Sequence, residues 1–296
     1  MRELRISAIS YLNTAPLMWD FEHDEAPALA TDAKEPALSL PKRWASHFEI
    51  SYTLPSACAR ALADGSADIG IIPAAAYTQI PGLLVLPDIA IASRRAVRSI
   101  LLVSKMAIER VRSVALDTSS LTSVALTKVL FEKWLGGGRT FTPMAPDLDR
   151  MLSECDAGLL IGDPALKVDR SRYYALDLAE EWIRFTGKPF VFAFWAIRSA
   201  ALLEADPALD LANIFRASRD HGLEPDSIDY IAREWSSRLS LGEGDVRSYL
   251  TENIHYQLDP ACLEGLRLFY RCAAEIGALP DRRDLHFLES ASILAT

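Results

Sequence analysis

The segment Ser10-Tyr11-Leu12-Asn13-Thr14 sets two aliphatic hydroxyls, a phenol and an amide within five positions. Such a group can orient a polar ligand and stabilise charge that develops on it. It can equally cap the helix that Pro16 introduces. A second group, Thr118-Ser119-Ser120-Leu121-Thr122-Ser123, carries five hydroxyls in six positions. At a helix start, free N–H groups, the helix dipole and several O–H donors converge on an anion; simple N-capping needs only one of these residues. A third group, Ser93, Arg94, Arg95, Arg98 and Ser99, could hold a carboxylate through a guanidinium, or its arginines could lie solvated in a surface loop. Gly162-Asp163 follows an apolar run, where the aspartate either meets a ligand or caps the turn before Ala165. Along 190–198, strand alternation sets Phe190, Phe192 and Phe194 on one face and Val191, Ala193 and Trp195 on the other. One face packs the core and members of the other line a cleft, Phe192 being a candidate; alternation does not say which face does which.

Other chemistries find little support. The four cysteines (58, 155, 262, 272) form no C-x-x-C pair, and the five histidines form no H-x-x-x-H, so no metal site is expected. Cys262 and Cys272 share a helical stretch about 15 Å apart along its axis, too far to bridge. There is no Walker A motif and no Gly-x-Gly-x-x-Gly, which argues against nucleotide phosphate. A net charge of −9 disfavours nucleic acid and anionic membrane surfaces as partners. It leaves a small anion open, since local N–H groups can hold one whatever the global charge.

The elements that must position these groups follow from pattern and punctuation. At 296 residues, half of them hydrophobic, the chain is long enough for about two domains. An apolar strand at 4–9 runs into the polar segment, with a helix expected from about Leu17. This places Ser10, Tyr11 and Asn13 at the carboxyl end of a strand, where open α/β sheets bind ligands. Residues 22–42 read as a surface excursion rich in Ala, Pro, Asp and Glu. A strand at 48–53 is followed by a helix begun by Pro55, with Ser56 as its expected N-cap and Gly65 as its stop. Strands are expected at 67–73, 83–86, 89–93, 99–104, 111–117, 140–143, 157–161 and 190–198. Helices are expected at 74–79, from the 118–123 cluster to Gly136, and at 147–155, 176–186, 207–221, 225–239, 243–252 and 259–277. Strand–helix alternation predicts parallel sheets. The long extended pieces near 89–104 and 190–198 read as two crossings between lobes, one of 1–92 with 195–296 and the other of 93–194, around a closable cleft. The opening residues lack an apolar leader, and no run reaches the roughly 18 apolar residues of a membrane span; a cytoplasmic protein is expected.

Taken together, several segments resemble the chorismate dehydratase family of the futalosine route to menaquinone. They are 5–16 (RISAISYLNTAP), Leu54-Pro55-Ser56, 67–73 (ADIGIIP), Ile91-Ala92-Ser93 with Val97-Arg98-Ser99, 116–123 (LDTSSLTS), Ile161-Gly162-Asp163, Glu181-Trp182, and 186–193 (TGKPFVFA). The Ser-Tyr-Leu-Asn-Thr opening is the most specific of them. The resemblance implies an α/β, two-lobed type II periplasmic-binding-protein-like fold with two lobe-crossing strands. It implies loss of water from chorismate, giving 3-[(1-carboxyvinyl)oxy]benzoate, with no cofactor. It puts Asn13 at the reacting centre together with a serine after the crossing, Ser93 in preference to Ser99. Ser10, Tyr11, Ser56, Thr118, Ser119, Ser120, Gly162, Asp163 and Phe192 are the implied substrate contacts. Arg94-Arg95 stands where the family is expected to carry a small, glycine-containing stretch. A non-catalytic solute-binding protein, the sister enzyme that forms a dihydroxynaphthoate, and a regulator's sensing domain share the fold and are the competing readings. A monomer or homodimer is expected.

Overall fold

The computed structural model describes residues 2–23, 47–281 and 284–289; most of the excursion expected at 22–42 lies outside them. Among the described residues ten strands form: β1 (Leu4–Ile9), β2 (Phe48–Thr53), β3 (Ile69–Pro73), β4 (Leu83–Ser93), β5 (Ile100–Ser104), β6 (Ser113–Asp117), β7 (Thr140–Met144), β8 (Ala157–Ile161), β9 (Tyr174–Asp177) and β10 (Phe190–Arg198). They make two five-stranded sheets, ordered β2-β1-β3-β10-β4 and β7-β6-β8-β5-β9. Every residue of β3, β5 and β8 is buried, as expected of continuous apolar runs covered on both faces.

The sheets are mixed rather than parallel. β1, β2 and β3 run parallel, and so do β6, β7 and β8. β10 is antiparallel to β3 and β4, and β5 is antiparallel to β8 and β9. Alternation predicts βαβ units; it does not see that strands joining or ending such units enter each sheet head to tail. The strands expected at 83–86 and 89–93 are one, β4, which bends at Asp88 (φ 65°). The register of β10 on β4 slips between Val191 and Ala193 and again between Phe194 and Ala196. Phe192 falls at the first slip, so simple alternation does not hold along β10. The Phe190 and Phe192 rings lie 4.7 Å apart, while Trp195 packs 4.8 Å from Phe215.

Several local expectations shift. Leu54, not Ser56, is the N-cap of helix Pro55–Asp64, because Pro55 takes the first helical position; Gly65 ends it at φ 80° as expected. The polar opening segment is itself helical, a 3-10 turn over Leu12–Met18 that continues as Trp19–Glu22. The stretch 176–186 divides into the end of β9 and helix Leu178–Thr186, because Asp177 caps that helix. Its carboxylate accepts from the amides of Ala179 and Glu180 and also from those of Val97 and Arg98, at 2.7–3.2 Å. The helix expected over 243–252 is Glu243–Ser248 followed by a π turn, Tyr249–Asn253.

One large core spans both sheets, from Leu4 and Ile6 through Leu102 and Val114 to Phe269; a smaller one behind β5, β6 and β8 holds Leu101, Val103, Met151 and Leu160. The opening turn is seated on helix Leu211–Gly222. Ser218 Oγ donates to the Leu17 carbonyl (2.9 Å) and accepts from the Asp20 amide (3.0 Å). Gly222 allows the approach: a Cβ there would lie 2.0 Å from the Pro16 carbonyl oxygen. Backbone on both sides leaves nothing soft to yield. Gly222→Ala is expected to cost roughly 1–3 kcal/mol and to displace the opening turn. Thermal melting checks this, and an unchanged midpoint would show that the helix slides aside freely.

Candidate active site

The opening turn meets the second sheet at the turn after β8. The Leu12 amide donates to Asp163 Oδ1 at 3.0 Å. The Tyr11 ring lies over Gly162, where a Cβ would come within 2.6 Å of two ring carbons. Gly162 holds φ 63° and ψ −143°, and its amide donates to the Ser99 carbonyl at 2.7 Å. A residue with a side chain could not take that conformation without strain, so Gly162 sets how closely Tyr11 approaches.

Two hydrogen-bonded chains flank this contact. On one side, the Ser119 amide and hydroxyl both donate to Asp117 Oδ1, at 2.8 and 2.6 Å, and Ser119 is the side-chain partner of the Tyr11 hydroxyl. The Ser119 carbonyl accepts from the Ser56 amide at 3.0 Å, a further tie between the sheets. On the other side, the Tyr249 hydroxyl donates to Ser99 Oγ at 2.8 Å, and Asn13 is its second side-chain partner. Asn13 is buried but not sealed, at 9% exposure, and its Oδ1 lies 3.4 Å from the Thr14 hydroxyl. Ser10 is exposed, its amide donating to the Thr53 carbonyl.

Burial sets the charge state of the cluster. It lifts the Tyr11 phenol to about 12, helped by Asp117 and Asp163 and opposed by Ser119. It raises the Tyr249 phenol despite the bond to Ser99. It raises Asp117, whose Oδ2 is buried without a partner. It lifts Asp163 to about 6 against the Leu12 amide and the Lys167 charge. The result is a set of buried donors and acceptors in which both carboxyls are pushed toward their protonated forms and both phenols away from ionisation.

The remaining expected residues divide. Thr118 is exposed, its amide bonded to the Met144 carbonyl. Ser120 Oγ accepts from the Ser123 amide in the first turn of helix Thr122–Lys133, whose N-cap is Leu121, so the Ser120 hydroxyl is engaged locally. Thr122 Oγ1 donates to the Phe192 carbonyl and accepts from the Ala75 amide, stitching that helix to the first sheet. Phe192 is 6% exposed. The Ser93 hydroxyl lies against the carbonyls of Arg95 (2.7 Å) and Asn253 (2.8 Å), so it fixes the turn after β4. Arg94 pairs with Asp259 at 2.5 Å, Arg95 is exposed, and Arg98 faces Asp245 and Ser248. Among the described residues, His255, Asp259 and Cys262 offer donor atoms within 4.8 Å of one another. Asp259 is already engaged by Arg94, His255 and the Cys262 amide as the cap of helix Pro260–Glu275. The cluster is accounted for as a cap and ion pair.

Sequence reasoning missed Tyr249 and Asp117. Val246, Tyr249 and Leu250 read as one apolar helical face, and only the π turn redirects the phenol toward Ser99; such turns recur at functional sites. Asp117 could have been marked by its place between a strand and the hydroxyl cluster. Tyr249→Phe is expected to lower turnover about tenfold, corresponding to the loss of roughly one hydrogen bond of about 1.4 kcal/mol, with the fold retained. Steady-state kinetics alongside a thermal melt would show it, and unchanged turnover would make Tyr249 a packing residue only.

A family model described as menaquinone biosynthesis matches residues 4–275. A chorismate dehydratase of Thermus thermophilus is 30% identical over 244 residues, covering 75% of this chain and 85% of that protein. One of Campylobacter jejuni is 29% identical over 192 residues, covering 62% and 66%. Among solved structures, protein AF1704 of Archaeoglobus fulgidus superposes with a TM-score of 0.66 at 16% identity, over 94% of this chain and 98% of that one. The periplasmic aliphatic sulphonate binding protein SsuA of Escherichia coli gives 0.62 at 15%, over 98% and 94%. A Candida albicans protein whose fold is described as the generic periplasmic binding protein fold gives 0.61 at 11%, over 99% and 100%. These likenesses establish the fold as the two-sheet α/β fold of periplasmic binding proteins. No helix among the described residues is long and apolar enough to cross a membrane.

Proposed function

Since the chain belongs to the menaquinone-biosynthesis family, within which its curated relatives are chorismate dehydratases, we propose that it eliminates water from chorismate to give 3-[(1-carboxyvinyl)oxy]benzoate, as a carbon–oxygen hydro-lyase of the cytoplasm that uses no cofactor. The observation that carries this reading is the junction of Tyr11, Leu12 and Asn13 with Gly162, Asp163 and Ser99, where a family-specific segment of one sheet meets strand-end turns of the other. Two lobes, 1–92 with 195–296 and 93–194, would close there over the ligand, in a monomer or homodimer.

The chemistry matches the demands of the reaction. Chorismate carries two carboxylates, a cyclohexadiene ring and a ring hydroxyl. Losing that hydroxyl and a neighbouring ring proton leaves a benzene ring, which drives the reaction. The protein must orient the ring, assist proton removal and exclude water. A neutral amide is a weak base, so in this reading Asn13 orients a substrate carboxylate that takes the ring proton and stabilises the developing charge. Ser99 supports the reading better than Ser93, because Tyr249 links Ser99 to Asn13 while the Ser93 hydroxyl is committed to main-chain carbonyls. Incubating the protein with chorismate alone tests the proposal. Loss of the chorismate ultraviolet band with a product lighter by one water supports it. Binding without conversion would make the protein a solute-binding module instead.

A further inference from the structure

The site holds a carboxyl that the reading above leaves without a chemical part. Asp163 opens the short helix Asp163–Leu166 after β8, half-buried between the two sheets. Its Oδ1 is fixed by the Leu12 amide, so the carboxyl is held in place by main chain from the opposite sheet. The phenols of Tyr11 and Tyr249 both feel its charge, which puts it between the two hydrogen-bonded chains described above. The cation that acts on this group, Lys167, is exposed, and Arg98, which acts on Tyr249, is turned toward Asp245 and Ser248. Asp117, the other acid of the cluster, is sealed at 0% exposure and receives both Ser119 donors, so it is not open to a ligand.

Among the described residues no guanidinium or ammonium is paired with this carboxyl, so a dianion entering the site meets a carboxyl countered only by the exposed Lys167. Two outcomes are open to that carboxyl: it repels the ligand, or it is protonated when the ligand is bound. Departure of a ring hydroxyl calls for a proton on its oxygen, because hydroxide is a poor leaving group in a dry cleft. Resting on the dehydratase reading, we propose that Asp163 is the proton donor to the departing hydroxyl.

The ring C–H electron pair becomes the new ring double bond, and its proton passes to the substrate carboxylate oriented by Asn13. The C–O bond breaks with its electron pair on oxygen, which takes the proton from Asp163 and leaves as water. The proton held by the product carboxylate then returns to Asp163, so one water is lost and the protein is restored. Burial raises Asp163 to about 6, in support. The donor form is present below that value and is lost as pH rises through it. The groups that face Asp163 are Tyr11 and Tyr249 with raised phenols, and Lys167.

Asp163→Asn keeps the acceptor for the Leu12 amide and removes the acid; a thermal melt and chorismate binding by calorimetry establish that it is folded and binds. With chorismate, kcat is expected to fall at least about 100-fold with KM changed by only a few-fold, the order general acid catalysis supplies. An analogue with fluoride in place of the ring hydroxyl needs no protonation to leave and is expected to be turned over by Asp163→Asn and wild type within about tenfold. The wild-type kcat is expected to decline toward alkaline pH with chorismate but not with the fluoro analogue. If Asp163→Asn turns over chorismate at near wild-type rates, or is equally crippled with the fluoro analogue, the assignment is overturned while the dehydratase reading stands. If wild type itself fails to convert chorismate, the reading and the assignment fall together.

Discussion

Replacing Asn13 by alanine is expected to lower turnover of chorismate by about 100- to 1,000-fold, the effect of removing one preorganised donor from a charge-stabilising site. Asn13 is nearly buried, stands in a 3-10 turn anchored by helix Leu211–Gly222, and is reached by the fully buried Tyr249. Its side chain is therefore positioned from both sides before any ligand arrives. Asn13→Asp separates the two parts assigned to the amide. It keeps the size and the acceptor but adds charge beside two carboxyls, so it is expected to impair dianion binding as well as turnover. Equal kcat in wild type and Asn13→Ala would remove the residue from the mechanism, and a melt shows whether either variant is folded.

Gly162→Ala is expected to be the most damaging single methyl in the site. Its backbone lies where side chains cost about 1–3 kcal/mol in strain, and the added Cβ would fall 2.6 Å from the Tyr11 ring. Relief requires Tyr11 to leave Ser119 or the Leu12–Asp163 bond to open, and a misplacement of about 1 Å can cost about 100-fold in rate. Combining it with Tyr11→Ala dissects the two causes. The double variant is expected to recover the steric share of stability and none of the conformational share, so the two substitutions will not add. Denaturant midpoints of the four proteins give the answer. Strict additivity would mean that ring and glycine do not constrain each other.

These expectations show what could be read from the chain and what could not. The apolar runs of β3, β5, β8 and β10, and the stop at Gly65, were legible, because burial and positive φ leave local marks. Strand direction was not: β5 and β10 look like any buried strand, and their antiparallel pairing depends on partners distant in the chain. The same limit explains the site. Ser10 to Thr14, Ser99, Ser119 and Asp163 could be nominated from strand ends and hydroxyl clustering. The bonds from Asp117 to Ser119 and from Tyr249 to Ser99 could not, since the first turns on a loop conformation and the second spans 150 positions. The resemblance puts Ser93 before Ser99, whereas their hydrogen-bond partners favour Ser99.

The Asp177 carboxylate takes amides from the turn at Val97 and Arg98 and from the first turn of helix Leu178–Thr186. One side chain thus ties the turn between β4 and β5 to the helix that precedes β10, beside the pairing of β5 with β9. In the two-lobe closure proposed above, a swing of one sheet against the other would be absorbed outside this knot, at residues 93–96 before β5 and at 187–189 before β10, where Gly187 sits at φ 67°.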